Sequence, residues 1–143
     1  MDLVNQNILI TGAADGLGLA ISKSFANTKA NLFLIDINYD KLIENNISNA
    51  NNIKCDLSNI NSIKNLLNKF NEEKVHIDIL IHNAAVLVPK SYEETTYKYW
   101  NEMTNISLNS GYLLSNYAWT NMKKNKRMDF KWRYWRNTAC QYN

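Results

Sequence analysis

Proline is almost missing from this chain. Its 143 residues hold one, Pro89, with only four Gly, two Cys and two His. So little proline and glycine excludes collagen-like and low-complexity chains. Cys55 and Cys140 are too few for a disulfide framework or a metal quartet, so a reduced, cytoplasmic setting is expected. No apolar run approaches the ~20 residues of a membrane helix, so no membrane partner is expected. The N-terminus lacks a basic start and a long apolar stretch, so no secretory leader is expected. Charged residues make up 20% and hydrophobic residues 45%, ordinary values for a globular protein. A chain of this length fits one domain and can bury about 68–70% of its unfolded surface.

The net charge of +3 conceals a division. Residues 1–122 carry nine Lys against twelve acidic residues, whereas residues 123–143 carry seven basic residues against one acid. All three Arg (Arg127, Arg133, Arg136) and two of the four Trp (Trp132, Trp135) lie in that last stretch. The shift marks a boundary, with an organised portion over 1–122 and an atypical basic tail over 123–143.

Apolar runs alternate with amphipathic runs. Asn7–Thr11 reads as a buried strand closed by Gly12, and Leu17, Ala20, Ile21, Ser24 and Phe25 recur at helical spacing over about 16–28. Strands are expected at Asn31–Asp36, Ile53–Leu57 and Ile77–His82. A weaker helix is expected at about 39–48, and a third from Ile60 to Phe70 with Ser58 as its cap. A loop holding Pro89 leads to a long helix over about 95–123. Strand and helix alternating at these lengths predict βαβ units and a parallel sheet buried on both faces. Right-handed crossovers then give an α/β, Rossmann-like, doubly wound sheet of order 3-2-1-4, truncated after the fourth strand and the long helix.

Three of the four glycines share one turn, Thr11-Gly12-Ala13-Ala14-Asp15-Gly16-Leu17-Gly18, between the first strand and the first helix. That context is what a dinucleotide fingerprint requires. Gly12 permits the tight turn, Gly16 lets backbone approach a pyrophosphate, and Gly18 lets helix and sheet pack closely. Free N–H groups and the helix dipole favour the anion. The alternative is a glycine-rich turn without a ligand.

The spacing Thr-Gly-x-x-x-Gly-x-Gly resembles the short-chain dehydrogenase/reductase family, and the resemblance extends over about residues 5–123. It implies NAD(P) chemistry on an alcohol or carbonyl substrate, and a homo-oligomer in the family. Asp36 ends the second strand, 18 residues beyond Gly18. A carboxylate there accepts the adenosine ribose hydroxyls and repels a 2′-phosphate. Family members that prefer NADP place Arg or Lys in the glycine loop or after this position. This chain has Asp15 and Ile37, so NAD is favoured over NADP. Asp56-Leu57 resembles the pair that holds the adenine ring, and Asp56 also reads as a turn that caps the next helix. Cys55 beside it is expected to pack in the sheet.

His82-Asn83-Ala84-Ala85 resembles the family's Asn-Asn-Ala-Gly, which lines the cofactor cleft. Asn83 and Ala84 match, whereas His82 and Ala85 depart. A Cβ at Ala85 would be strained if that position needs positive φ. His82 is expected to be structural, since no carboxylate partner is evident. Trp100, Asn105 and Gly111 resemble the family's Trp…Asn…Gly segment. There the Asn interrupts a helix and its carbonyl holds a water of the proton relay, which makes Asn105 the candidate catalytic position. Trp100, Met103, Ile106, Leu113 and Leu114 are expected in the core or on a dimer face rather than against substrate.

The family's Tyr-x-x-x-Lys is not found: none of the eight Tyr has Lys four residues on. The tail after Lys126 shows neither strand nor helix periodicity. A frameshift or truncated gene would explain it, because Trp-Arg, found at Trp132-Arg133 and Trp135-Arg136, encodes Gly when read one base later. The rival is a basic, aromatic tail for a partner, although such tails often stay solvated, so nucleic acid is not the expected partner. Two functions follow. One is the cofactor-binding portion of an NAD-dependent alcohol/carbonyl oxidoreductase, inactive in this truncated form. The other is a non-catalytic nucleotide-binding module with a partner-binding tail.

Overall fold

The computed structural model describes residues 3–86 and 90–124, so the expectations for Pro89 and for nearly all of the basic tail lie outside the described residues. Four strands, β1 (Asn7–Thr11), β2 (Asn31–Asp36), β3 (Ala50–Lys54) and β4 (Ile79–Ile81), form one parallel sheet of order β3-β2-β1-β4. The crossovers carry α1 (Gly16–Ala26), α2 (Tyr39–Glu44) and α3 (Ile60–Glu72). After β4, α4 (Tyr97–Thr104) runs through a π-helical segment, Asn105–Asn109, into α5 (Ser110–Lys124). The fold class and strand order are those expected from the sequence.

The strand alternation explains the two cores. Ile8 and Ile10 of β1, with Leu32 and Leu34 of β2, point to one face and pack with Leu42 of α2. Leu9 and Ile35 point to the other, against Ile63, Leu66 and Phe70 of α3 and Leu114 and Ala118 of α5. All nine of these strand and helix residues on β1, β2, α2 and α5 are at most 1% exposed. Burying one such side chain contributes about 1.5–3 kcal/mol, so a sheet covered on both faces holds its strand ends rigidly.

Boundaries differ from expectation where asparagine intervenes. β3 lies three residues earlier than the predicted Ile53–Leu57, because Asn51 and Asn52, poor strand formers by propensity, are held in register opposite Phe33 and Leu34. α3 is capped by Asn59, not Ser58: the Asn59 Oδ1 accepts the N–H groups of Asn61 at 2.9 Å and Ser62 at 3.4 Å. α2 stops at Glu44, and β4 is shorter than the predicted 77–82. The predicted long helix is two helices joined by the π segment.

Candidate functional site

The C-terminal ends of β1, β2, β3 and β4 open onto a cleft of about 390 Å³. Its lining includes Gly12, Asp15 and Gly16 after β1, Asp36 and Ile37 after β2, Cys55, Asp56 and Leu57 after β3, and Asn83, Ala84, Ala85 and Val86 after β4. In an open parallel sheet this is where ligands bind, beside the strand at which the winding reverses.

Gly12 and Gly16 take left-handed backbone, with φ of +65° and +52°. A Cβ on Gly16 would meet nothing within 4 Å, so the turn leaves an open cradle at its tip. Gly18 is closed by contrast: a Cβ there would stand 1.9 Å from the Gly12 carbonyl oxygen. This glycine therefore fits α1 against the turn itself, rather than against the sheet alone. The Asp15 carboxylate caps α1 by accepting the Gly16 N–H at 2.7 Å. The first helical bond runs from Leu19 N–H to the Asp15 carbonyl at 3.0 Å, so the N–H groups of Leu17 and Gly18 belong to the unpaired first turn. The Leu17 side chain is 64% exposed and is not part of the cleft wall; what Leu17 offers there is backbone.

Several side chains fix the turn. Asn83 donates from Nδ2 to the carbonyls of Thr11 at 3.1 Å and Gly12 at 3.3 Å. Asn45, on the α2 side, donates to the Ala14 carbonyl at 2.9 Å. Lys41 pairs with Asp15, and the Lys41 ammonium, with the Gly16 N–H, holds the Asp15 carboxyl below its ordinary pKa.

Asp36 is anchored through both oxygens. One accepts the Ala14 N–H at 3.0 Å and the other the Asn38 N–H at 2.9 Å, which fixes a carboxylate beside the glycine turn. Asn59, not Asp56, caps α3; Asp56 instead shapes the turn before it. Its Oδ1 accepts the N–H and the hydroxyl of Ser58, at 2.9 and 2.7 Å, and the residue also lines the cleft. Cys55 is buried, and burial raises its thiol pKa; the sequence reading missed that it forms part of the cleft wall. Ala85 adopts no positive φ, so its Cβ brings no strain.

Asn105 begins the π segment. Its side chain donates to the Ser58 carbonyl at 2.9 Å, and its carbonyl takes the N–H of Ser110, five residues on. The helix is thus interrupted at this Asn. Asn105 does not line the cleft, but Ile106 beside it does, while also packing against the core as expected. Leu114 is buried and Trp100 is 55% exposed, one in the core and one on the surface. Val86 and the supporting Lys41 and Asn45 had no motif to reveal them, whereas Ile37 was read only as the position after Asp36 that lacks a cation.

The turn, the anchored carboxylate and the open cradle at Gly16 fit the adenosine and pyrophosphate of a dinucleotide. Among the described residues no group of three His, Cys, Asp or Glu could hold a metal ion, and no helix is long and apolar enough to cross a membrane.

Comparison with known proteins agrees with this geometry. A family model described as short chain dehydrogenase matches residues 6–128. The chain is similar to 3-oxoacyl-acyl-carrier-protein reductase of Buchnera aphidicola, with 32% identity over 89% of this chain and 54% of the relative. An uncharacterised oxidoreductase of Thermotoga maritima is 28% identical over 81% of this chain and 48% of the relative. Among solved structures, 4-hydroxyisoleucine dehydrogenase complexed with NADH superposes with a TM-score of 0.77 at 25% identity, over 85% of this chain and 52% of that one. A metagenomic short-chain oxidoreductase in complex with NADP shares the fold, with a TM-score of 0.79 at 24% identity, over 89% of this chain and 61% of that one. The chain spans about half the length of the curated relatives it matches.

Proposed function

This chain belongs to the short-chain dehydrogenase/reductase family of NAD(P)-dependent oxidoreductases, and we propose that it forms the NAD-binding half of an enzyme acting on an alcohol or carbonyl substrate. The observation that carries the NAD reading is Asp36, whose two oxygens are held by the Ala14 and Asn38 N–H groups at the rim of the glycine turn. An anchored carboxylate there suits the ribose hydroxyls and opposes a 2′-phosphate. Two unit charges at 4 Å repel by about 4 kcal/mol at an effective dielectric of 20, which more than covers a tenfold preference after screening. Lys41, the nearby cation that would favour NADP, is engaged by Asp15. Leu17 and Gly18 N–H groups and Gly16 would hold the pyrophosphate, with Asp56 and Leu57 beside the adenine and Asn83, Ala84 and Ala85 along the cleft.

NAD, when bound, supplies the hydride acceptor. The residues that would handle the substrate proton are a different matter. The Asn105 carbonyl, at the break in the helix, is the one relay position this chain retains, and no Tyr is followed four residues on by Lys. The 143 residues by themselves therefore bind NAD and do not turn over substrate. Exposed Leu108, Tyr112 and Trp119 on the π segment and α5 support association with a second copy.

Titration calorimetry with NAD and NADP tests the reading. NAD should bind at least about tenfold more tightly, and Asp36→Ala should lose most of that margin. Equal or tighter NADP binding by the unaltered chain would refute it.

A further inference from the structure

His82 stands between β1 and the π segment, and the bonds around it fix which nitrogen carries its proton. Thr11 is fully buried, and its Oγ1 receives two backbone N–H groups, from Asn83 at 3.1 Å and from Ala84 at 3.0 Å. A hydroxyl oxygen has two acceptor sites and one proton. Both sites are taken, so the Thr11 proton goes to the remaining neighbour, Nδ1 of His82 at 3.2 Å. Nδ1 is then a bare acceptor, and the ring proton sits on Nε2. The other side of the ring agrees. Ser110 gives its hydroxyl proton to the Ile106 carbonyl at 2.5 Å, so it faces Nε2, 3.5 Å away, as an acceptor. The Ile106 and Ser107 carbonyls face the ring and favour its charged form. Gly111 makes the room, since a Cβ there would stand 2.9 Å from the imidazole Cδ2.

We propose that His82, as a neutral imidazole protonated on Nε2, is a positioning residue that pins the glycine turn and the Asn83-Ala84 wall of the cleft to Ser110 at the start of α5, and through it to the π segment. Asn83 and Ala84 line the cleft, and Asn83 also holds the Gly12 carbonyl. Ile106, whose carbonyl takes the hydroxyl proton of the Ser110 that faces Nε2, lines the same cleft. One side chain thus ties together both walls. A second proton on Nδ1 would point at an oxygen with no acceptor site left. Either the Asn83 or the Ala84 N–H would lose its partner, or the ring would swing away from the π segment.

The groups facing the ring are the Thr11 hydroxyl from β1, the Ile106 and Ser107 carbonyls from the π segment and the Ser110 hydroxyl from α5. None of them titrates near neutrality, and among the described residues no charged side chain shifts the imidazole. Burial pushes its pKa below the ordinary value of 6.5, and the two carbonyls oppose this only in part. The unfolded chain therefore protonates first as pH falls. Stability is full above about 6.5 and is lost as pH drops from there through the lower folded value.

The inference rests on the nucleotide reading only for its binding arm. Nitrogen-15 NMR of the imidazole in the full chain at pH 8 should show the neutral Nε2–H form. NAD affinity, followed by calorimetry, should fall by at least about tenfold between pH 8 and a pH one unit below the imidazole pKa read in the same NMR titration, because a buried N–H loses its partner. His82→Asn keeps an acceptor near Nδ1 but cannot be recharged, so it should bind at pH 8 and lose most of that pH dependence. His82→Gln places its amide at the wrong reach and should bind weakly at both pH values. An Nδ1–H or charged ring at pH 8, or an unchanged pH profile in His82→Asn, would overturn the proposal. If no nucleotide binds at any pH, the proposed function fails. The tautomer and the pH dependence of urea unfolding, compared between wild type and His82→Asn, then still decide the role of His82.

Discussion

Gly18→Ala should destabilise this protein, although the same change in an ordinary helix stabilises it. Ala is favoured over Gly within a helix by about 0.8–1.0 kcal/mol, and Gly18 lies in the first turn of α1. The methyl would stand 1.9 Å from the Gly12 oxygen and 2.7 Å from both the Gly12 carbon and the Asn83 Nδ2, well inside the 3.4 Å at which ordinary contact begins. Two of those three atoms are backbone, in a turn already at φ +65°. Overpacking costs roughly 1–3 kcal/mol, and an encounter this close with backbone belongs at the upper end. After the helix gain, the net loss should be about 2 kcal/mol, or roughly 30-fold in the unfolding constant. Gly111→Ala is the comparison: its methyl meets the imidazole of His82 at 2.9 Å, a side chain rather than backbone, so its steric cost should be smaller, although moving that ring breaks its Thr11 and Ser110 bonds. Urea unfolding of wild type and both variants reads the difference, provided the slopes agree. If Gly18→Ala matches or exceeds wild type in stability, the tight seating of α1 on the turn is wrong.

The remaining expectations are briefer. The purified chain should show no NAD reduction across a panel of secondary alcohols, because positioned proton transfer contributes ~10²–10⁴-fold and no Tyr is followed four residues on by Lys; turnover free of contaminating dehydrogenase would refute this. Tyr117→Phe should cost about 1 kcal/mol in thermal or urea unfolding, since the Tyr117 hydroxyl donates to the Val75 carbonyl at 2.6 Å while its ring packs on Phe70; a neutral change would show that the bond is exchanged freely with water. Among the described residues β4 pairs with β1 alone, and its Ile79-Leu80-Ile81 edge invites strand pairing, so sedimentation should reveal self-association; a monomer with strongly protected amides at 79–81 would mean that this edge is covered.

The legible parts of the fold were those where one signal was unopposed. β1 and β2 are continuous apolar runs, and their bounds match the sequence reading at both ends. β3 was displaced because its apolar signal, Ile53-Lys54-Cys55-Asp56-Leu57, straddles the strand end and the turn after it. The Asn residues that precede it are strand only because β2 supplies a ladder. The same composition hid the cap of α3, where Asn59 competes with Ser58, whose N–H and hydroxyl are both taken by Asp56. An Asn-rich chain offers many side chains able to cap or turn, and only tertiary contacts choose among them.

The site was legible for a related reason, and its limits follow from the same physics. Glycines at φ +65° and +52° and a carboxylate at a strand end are local requirements, so they leave a trace at fixed spacing. Val86 and Ile106 reach the cleft through tertiary placement alone, and an apolar residue in a loop or helix carries no mark of which side it will face. His82 shows the case between. Its departure from the Asn-Asn-Ala-Gly pattern was visible, and the lack of a carboxylate partner argued against acid–base work. What the chain alone could not reveal was the Thr11 hydroxyl, already saturated by two N–H groups. That saturation turns a lone histidine from a filler into an acceptor that nothing else in contact with Thr11 replaces.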